Sequence, residues 1–215
     1  MKIKWLGHSC FLLTAESGAR LLMDPFRADS HLSYKQVSER ADIATVSHDH
    51  FDHNFIDALP VRPEVVKGAG EKAFKGIKVK GVGVFHDDTG GNQRGSNTIF
   101  CVEIDKINVC HLGDLGHRLS GHELSAVGKV DVLLVPVGGV FTIGVEDANA
   151  LCQDIKPHIA IPMHYKTERC QFLKWSAEDF ARGKQTVRRM AGSEFEITVN
   201  SLPAEFEVIV LNYPE

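Results

Sequence analysis

Cysteine is sparse in this chain and shows none of the spacings of a disulfide framework. Five cysteines lie scattered over 215 residues, an odd number with no CxxC pair. Small secreted domains depend on paired cysteines, whereas a chain of this length buries enough surface to fold without them. We therefore expect reduced thiols and a cytoplasmic protein.

Long apolar runs, a signal peptide and an excess of basic charge are also missing. No apolar run reaches the roughly 18 residues of a membrane span, and Met1–Trp5 reads as a strand rather than a leader. The formal net charge of −4 argues against a broad nucleic-acid or acidic-membrane surface. We expect neither a membrane anchor nor a nucleic-acid partner.

Short apolar runs and amphipathic stretches fill the chain without repeats or linkers. They predict strands at 10–14, 20–23, 42–47, 77–85, 98–104, 107–112, 132–135, 158–162, 194–199 and 205–211, and helices at 121–127, 145–155 and from 177 to 181. Asp105 and Lys106 suit a two-residue hairpin turn, which would place Cys101 opposite Cys110. Predicted strands in both halves of the chain, with predicted helices between them, indicate an α/β sandwich made by one domain spanning 1–215.

The strongest chemical signal is the sequence SHDHFDH at 47–53, directly after a predicted buried strand. In an extended chain, side chains two positions apart point the same way, so His48, His50 and Asp52 share one side. His53 joins them if the chain turns. Imidazoles and a carboxylate aimed at one point suit a metal such as Zn or Fe. A helical HExxH site is excluded because histidines two positions apart do not share a helix face.

The HxHxDH pattern of 48–53 resembles the signature of the metallo-β-lactamase superfamily, and the resemblance covers almost the whole chain. It implies a four-layer αββα sandwich with a two-metal site along one sheet edge. It also implies three later ligands, each of which follows a predicted strand here: His86, Asp114 and His164.

The resemblance further implies how the ligands divide between two divalent ions, with Zn expected and Mn or Fe as alternatives. One ion would be held by His48, His50 and His86. The other would be held by Asp52, His53 and His164, with Asp114 bridging both. His86 is preferred to His111 because Asp114 already accounts for the strand that carries His111, but His111 stays open as a ligand.

Three residues are candidates for orienting the ligands, since a ligating histidine must donate its other ring N–H to an acceptor. Asp24, at the end of its strand, resembles the first characteristic acid of the family. His8 lies in the sequence GHSC at 7–10, which resembles a motif of a small hydrolase-like branch. His111 is expected to support the site structurally.

Three further residues are candidates for holding substrate. Arg94, Asn97 and Lys166 flank the proposed ligands His86 and His164, where a cation would suit a carboxylate or phosphate. Ordinary solvated loop residues are the alternative interpretation.

The resemblance implies a binuclear hydrolase with Asp52 and Asp114 as catalytic residues. A hydroxide bridging the metals would attack an ester, lactone or phosphodiester of a small-molecule substrate. The motifs are most similar to those of sugar-lactone hydrolases and phospholipid phosphodiesterases. Two alternatives are a nuclease acting on RNA or DNA, which the missing basic surface disfavours, and a di-iron redox protein, which the retained His50 disfavours.

Overall fold

The computed structural model describes residues 1–214, so the predicted domain 1–215 extends one residue beyond the described part. In chain order the strands are β1 (Lys2–Gly7), β2 (Cys10–Thr14), β3 (Arg20–Met23), β4 (Ile43–Val46), β5 (Glu64–Lys67), β6 (Gly70–Phe74), β7 (Ile77–Phe85), β8 (Ser96–Ile104), β9 (Ile107–His111), β10 (Val132–Pro136), β11 (Ile159–Met163), β12 (Val187–Arg189), β13 (Glu194–Glu196) and β14 (Glu207–Val210). The helices are α1 (Gly121–Val127), α2 (Val145–Ile155) and α3 (Ala177–Ala181), with short 3₁₀ helices at Ile56–Ala58 and Val199–Ser201.

The strands form two mixed sheets. One has six strands in the order β13-β1-β2-β3-β4-β5, and the other has eight in the order β12-β14-β11-β10-β9-β8-β7-β6. The sheets meet through side chains such as Phe11 of β2, whose ring lies edge-on to His111 of β9, and Trp5 of β1, which stacks on Tyr165 after β11. This arrangement confirms the predicted α/β sandwich.

The helices pack on the eight-stranded sheet, where α1 contacts β7, α2 contacts β10 and α3 contacts β11. The central strands β10 and β11 are buried along their whole length because one face meets these helices and the other meets the core. Beside the six-stranded sheet, the segment 25–42 has no helix or strand among its residues and buries Phe26, Leu32, Tyr34 and Val37.

The antiparallel part of the larger sheet follows the predicted register. In β7 buried and exposed residues largely alternate, as expected of a half-buried strand. The hairpin β8–β9 turns at Asp105 and Lys106, both with positive φ, and Cys101 pairs with Cys110. The prediction for this hairpin is confirmed.

The differences lie at the sheet edges. Sequence patterns gave no strand at β5, β6 or β12, and β13 is three residues long where a strand over 194–199 was predicted. All four are edge strands. An edge strand needs only one paired side and little apolar surface, so its sequence lacks the alternation that identifies inner strands.

Candidate metal centre

The candidate ligands follow strand ends that open on the same edge of the sandwich. Asp24 follows β3, and Asp114 and His164 come after β9 and β11. The loop after β4 turns back through a bond in which the His53 N–H donates to the His50 carbonyl at 3.0 Å. This turn places His53 beside the residues that precede it.

Asp114 lies at the centre of the cluster. Its Oδ1 is 3.2 Å from His53 Nε2. Its Oδ2 is 3.3 Å from His86 Nε2 and 3.2 Å from His164 Nε2, and 4.0 Å from His48 Nε2. One carboxylate therefore faces imidazoles from three separate segments of the chain.

The donor atoms form overlapping groups in which every atom lies within 4.8 Å of the others. One group is His48, His50 and His86; a second is His8, Asp52, His53 and His164; a third, linking the two, is His48, His53 and Asp114. The structure thus brings together all seven residues predicted as ligands, and it adds His8, whose Nε2 is 3.3 Å from Asp52 Oδ2.

Asp24 organises the ring orientations beneath the cluster. The Ser47 hydroxyl and amide donate to its carboxylate at 2.5 and 2.8 Å, and His53 Nδ1 donates to it at 2.8 Å. Because the Ser47 proton is used on Asp24, its oxygen accepts from His48 Nδ1 at 2.9 Å. Both imidazoles then turn Nε2 towards the cluster. Ser47 was not singled out from the sequence.

His111 and Asn97 support the turn that carries Asp114. Both ring nitrogens of His111 are occupied, since Nδ1 accepts from the Gly113 N–H and Nε2 donates to the Ser9 carbonyl. Asn97 Oδ1 accepts from the Asp114 N–H at 3.1 Å and its Nδ2 donates to the Leu112 carbonyl. The geometry thus leaves His86, rather than His111, facing the other ligands.

Three residues of the site adopt backbone angles that side chains rarely tolerate. His8, Asp24 and His164 have φ values of 51°, 46° and 47°, and each directly follows a strand. A non-glycine residue in this region costs of order 1–3 kcal/mol and persists where surrounding contacts hold it. Here the His8 carbonyl accepts from both the Trp5 indole and the His164 amide.

Electrostatics at the site favour positive charge between the carboxylates. Burial lowers the pKa of His48 to about 3 and that of His8 to about 4, so both rings are neutral and keep a lone pair at neutral pH. Burial opposes charge on His53 as well, but the Asp114 and Asp52 carboxylates raise its pKa well above the usual value. The pKa of Asp114 is held well below its usual range by His164 and His53, despite burial.

The donor set fits a metal. Within the cluster, the buried Nε2 of His53 and Oδ1 of Asp114 have no hydrogen-bond partner among the described residues. Leaving such atoms unpaired is costly, and imidazole nitrogens with carboxylate oxygens are the ligands that Zn prefers in catalytic sites.

A cavity of about 630 Å³ opens above the cluster. Its floor includes Asp52, His86, Asp114 and His164, and its walls are made by the rings of Phe51, Phe141 and Phe172, with His31 and Arg94 on the rim. We call this space the aromatic cavity. Sequence reasoning missed the phenylalanines and His31, which stand in loops without any periodic pattern.

The three predicted substrate residues have different positions. Arg94 lines the aromatic cavity, whereas the side chain of Asn97 is buried under Asp114. Lys166 is exposed and does not line the cavity. Of the three, Arg94 alone can meet a molecule bound there.

Asp87 fixes the loop that carries Arg94, a role that sequence reasoning also missed. Its Oδ1 accepts from the amides of Thr89 and Gly91 and from the Thr89 hydroxyl. Its Oδ2 accepts from the amides of Gln93 and Arg94 at 3.0 and 2.7 Å. An aspartate followed closely by Thr and two glycines was the available signal.

Comparison with known proteins agrees with this geometry. The family model of the β-lactamase superfamily domain matches residues 2–164. A protein from Methanosarcina barkeri, named UPF0173 metal-dependent hydrolase, is 31% identical over 85% of this chain and 90% of its own length. One of the same name from Thermoplasma acidophilum is 30% identical over 78% of this chain and 84% of its own.

Solved structures agree as well. A structure from Thermotoga maritima, assigned to the Zn-dependent hydrolases of the metallo-β-lactamase superfamily, has 35% identity and a TM-score of 0.83 over 99% of both chains. With its two-sheet sandwich and its histidine and aspartate cluster, the chain belongs to the metallo-β-lactamase superfamily, as the HxHxDH motif predicted. Within residues 1–214, none of the helices has the length and apolar character needed to cross a bilayer.

Proposed function

We propose that this protein is a metal-dependent hydrolase with two divalent cations, Zn being the expected ion. The observation that carries the proposal is the convergence of six imidazoles and two carboxylates on one point beneath an open cavity. The relatives named as metal-dependent hydrolases support the same reaction class.

The geometry supports the division of ligands that the family resemblance implies. His48, His50 and His86 would hold one cation, and Asp52, His53 and His164 the other, with Asp114 between them. When bound, such cations lower the pKa of a water from about 15.7 towards about 7 and polarise the oxygen of the bond that is cleaved. His8 lies within reach of the second group as a ligand or as the donor that orients Asp52.

The chain's own residues position the reactants and handle the proton. Asp52 and Asp114 would orient the attacking water, and their ionised carboxylates can accept its proton. Asp24 fixes the ring of His53 through Nδ1, so that Nε2 keeps facing these two carboxylates. The Ser47 hydroxyl likewise fixes the ring of His48 by accepting a hydrogen bond from its Nδ1.

The proposed substrate is a small molecule with an ester, lactone or phosphodiester bond. A cavity of about 630 Å³ is in the range of pockets that bury small ligands, which is about 300–1,000 Å³. Its aromatic walls and single arginine contrast with the basic surface that a nuclease needs. A cytoplasmic location remains a prediction.

The ligand division is tested by counting metals in single variants. We expect two Zn per chain in the unaltered protein and one in each of His86→Ala and Asp52→Ala, with most turnover lost in both. His122→Ala, an exposed histidine on α1, is the matched control and should keep two. Asp52→Ala with two bound metals would show that the assignment is wrong.

The same preparation separates the alternatives. Turnover of a panel of lactones, esters and phosphodiesters supports the hydrolase. Salt-sensitive RNA binding with cleavage would favour the nuclease, and bound iron with flavin-dependent electron transfer would favour the redox protein.

A further inference from the structure

The walls of the aromatic cavity are unusually apolar for a surface above a polar cluster. The ring of Phe51 is 51% exposed and that of Phe172 is 41% exposed, and both line the cavity. Phe141 lies 5.8 Å from Phe172 between ring centroids. Exposed phenylalanine costs free energy unless a ligand covers it, so grouped rings at a cavity mark a binding surface.

One cation stands at the rim of this apolar wall. Among the described residues that line the cavity, Arg94 is the only lysine or arginine. Its guanidinium lies 4.6 Å from the centroid of Phe141 and has no carboxylate partner within residues 1–214.

The surroundings of Arg94 leave its charge available. Lys67, in the neighbouring depression that Arg94 also borders, is already paired with Asp49 at 2.5 Å. The backbone of Arg94 is fixed by the bond from its amide to Asp87. An arginine that is held in place and lacks an anionic partner is suited to a carboxylate or phosphate of a ligand.

We propose that the substrate of this site is an amphipathic anion, with an aryl group that packs between Phe51 and Phe172 and an anionic group that pairs with Arg94. The inference rests on the proposed function, because it places the scissile bond over the metal cluster on the cavity floor. Phe51, Phe172 and Arg94 are then the residues that determine specificity.

The test uses three kinds of ligand that cannot be hydrolysed. They are ω-phenylalkanoates with two to five methylenes, the corresponding neutral phenylalkanols, and alkanoates without a ring. Dissociation constants are measured by calorimetry on the Zn-loaded protein and again after chelation. We expect the best phenylalkanoate to bind at least about tenfold more tightly than either partial ligand.

Variants of the cavity residues show which side chain supplies each increase in affinity. Phe51→Ala and Phe172→Ala should weaken both phenyl ligands by about tenfold and leave the alkanoate unchanged. Arg94→Gln should bring the phenylalkanoate down to the affinity of its neutral alcohol, and Arg94→Lys should restore part of the loss. Both phenylalanines are exposed, so their loss leaves the core intact.

Matched controls lie elsewhere on the surface. Phe206→Ala removes a half-buried ring beside a different depression, and Arg169→Gln removes an arginine that lies over Tyr213. Neither should alter any of the affinities.

Several outcomes would overturn the proposal: equal affinity of phenylalkanoate and alcohol, Phe variants that behave like Phe206→Ala, or no binding of the phenyl ligands. The affinities measured after chelation do not depend on metal content or turnover. If the hydrolase proposal failed instead, the protein would take up no metal and cleave none of the substrates, even if it bound the phenyl ligands.

Discussion

At the scale of single residues, Gly113 controls the position of Asp114 through the side chain it lacks. Its φ is 56°, and an added Cβ would lie 2.4 Å from Asn97 Oδ1 and 2.7 Å from Ser47 Cβ. Gly113→Ala should therefore displace both residues, lower the free energy of unfolding by about 2–4 kcal/mol and reduce metal occupancy. Urea denaturation and metal analysis measure the two effects.

Gly90→Ala is the control for backbone strain alone. Gly90 also has a positive φ, 71°, but nothing lies within 4 Å of its added Cβ. We expect Gly90→Ala to lower the free energy of unfolding by only about 1–2 kcal/mol and to leave the metal content unchanged. If the two variants behave alike, close packing around Gly113 has no part in holding the site.

Asp24 offers a second prediction at this scale, because it touches no substrate and acts through His53 and Ser47. In Asp24→Asn the amide keeps the size but weakens the acceptor for His53 Nδ1, so metal affinity should fall about 10–100-fold. Competition with a chelator measures the affinity. The carboxylate of Asp49 faces Lys67 instead, so Asp49→Asn should change the metal affinity little. An equal loss of affinity in both variants would contradict the idea that Asp24 acts by orienting His53.

The proposed ligands and three candidates for orienting them, Asp24, His8 and His111, could be named from the sequence, but most contacts between them could not. The 48–53 motif and the strand ends before His86, Asp114 and His164 carry local signals. The contacts of Ser47 with Asp24 and of Asn97 with Asp114 join residues that are 23 and 17 positions apart. Nothing in a single sequence indicates that such pairs meet.

At the scale of elements, Asp131 ties β9 to β10. Its Oδ2 accepts from the amide and the side chain of Asn108, both at 2.8 Å, and Lys129 Nζ lies 2.9 Å from Oδ1. Asp131→Ala would leave the Asn108 donors unpaired and should lower the free energy of unfolding by about 1–3 kcal/mol. Glu103→Ala, an exposed residue on β8, should change it by less than about 0.5 kcal/mol.

The Asp131 carboxylate also makes the free energy of unfolding depend on pH, and the sign of that dependence can be predicted. Burial opposes its charge, but the Asn108 amide and Lys129 outweigh burial and hold its pKa below the usual value. The stability that the charged Asp131 carboxylate contributes is therefore complete above the carboxylate's unfolded-state pKa of about 3.9. It is lost as the pH falls through the lower pKa that this group has in the folded protein. The difference between the unaltered protein and Asp131→Ala should shrink below about pH 4. A constant difference down to pH 2 would contradict this.

Inner strands and helices were predictable at this scale because burial imposes a pattern on them. The amphipathic face of Val145–Ile155 and the apolar run at 132–135 are both present as predicted. The edge strand β6 reads Gly-Glu-Lys-Ala-Phe and is mostly exposed, so its strand conformation comes from pairing with β7 rather than from its own composition.

At the scale of the whole molecule, the proposed ligands come from both sheets. His48 and His53 follow β4 of the six-stranded sheet, and His86, Asp114 and His164 follow strands of the eight-stranded one. Bound cations would therefore connect the two halves of the sandwich. Metal binding should stabilise the entire fold rather than one loop.

This connection predicts a large and delocalised effect of metal removal. Free Zn at 1,000 times the dissociation constant of one site adds about 4 kcal/mol, and each kcal/mol moves Tm by about 2–4 °C in a chain of this size. Chelation should thus lower Tm by at least about 8 °C, and amide exchange should become faster in β4 and in β11 alike. Asp114→Ala, which removes the carboxylate shared by both groups, should abolish most of the Zn-dependent shift. Faster exchange confined to one sheet would show that the cations do not join the two, whatever the change in Tm.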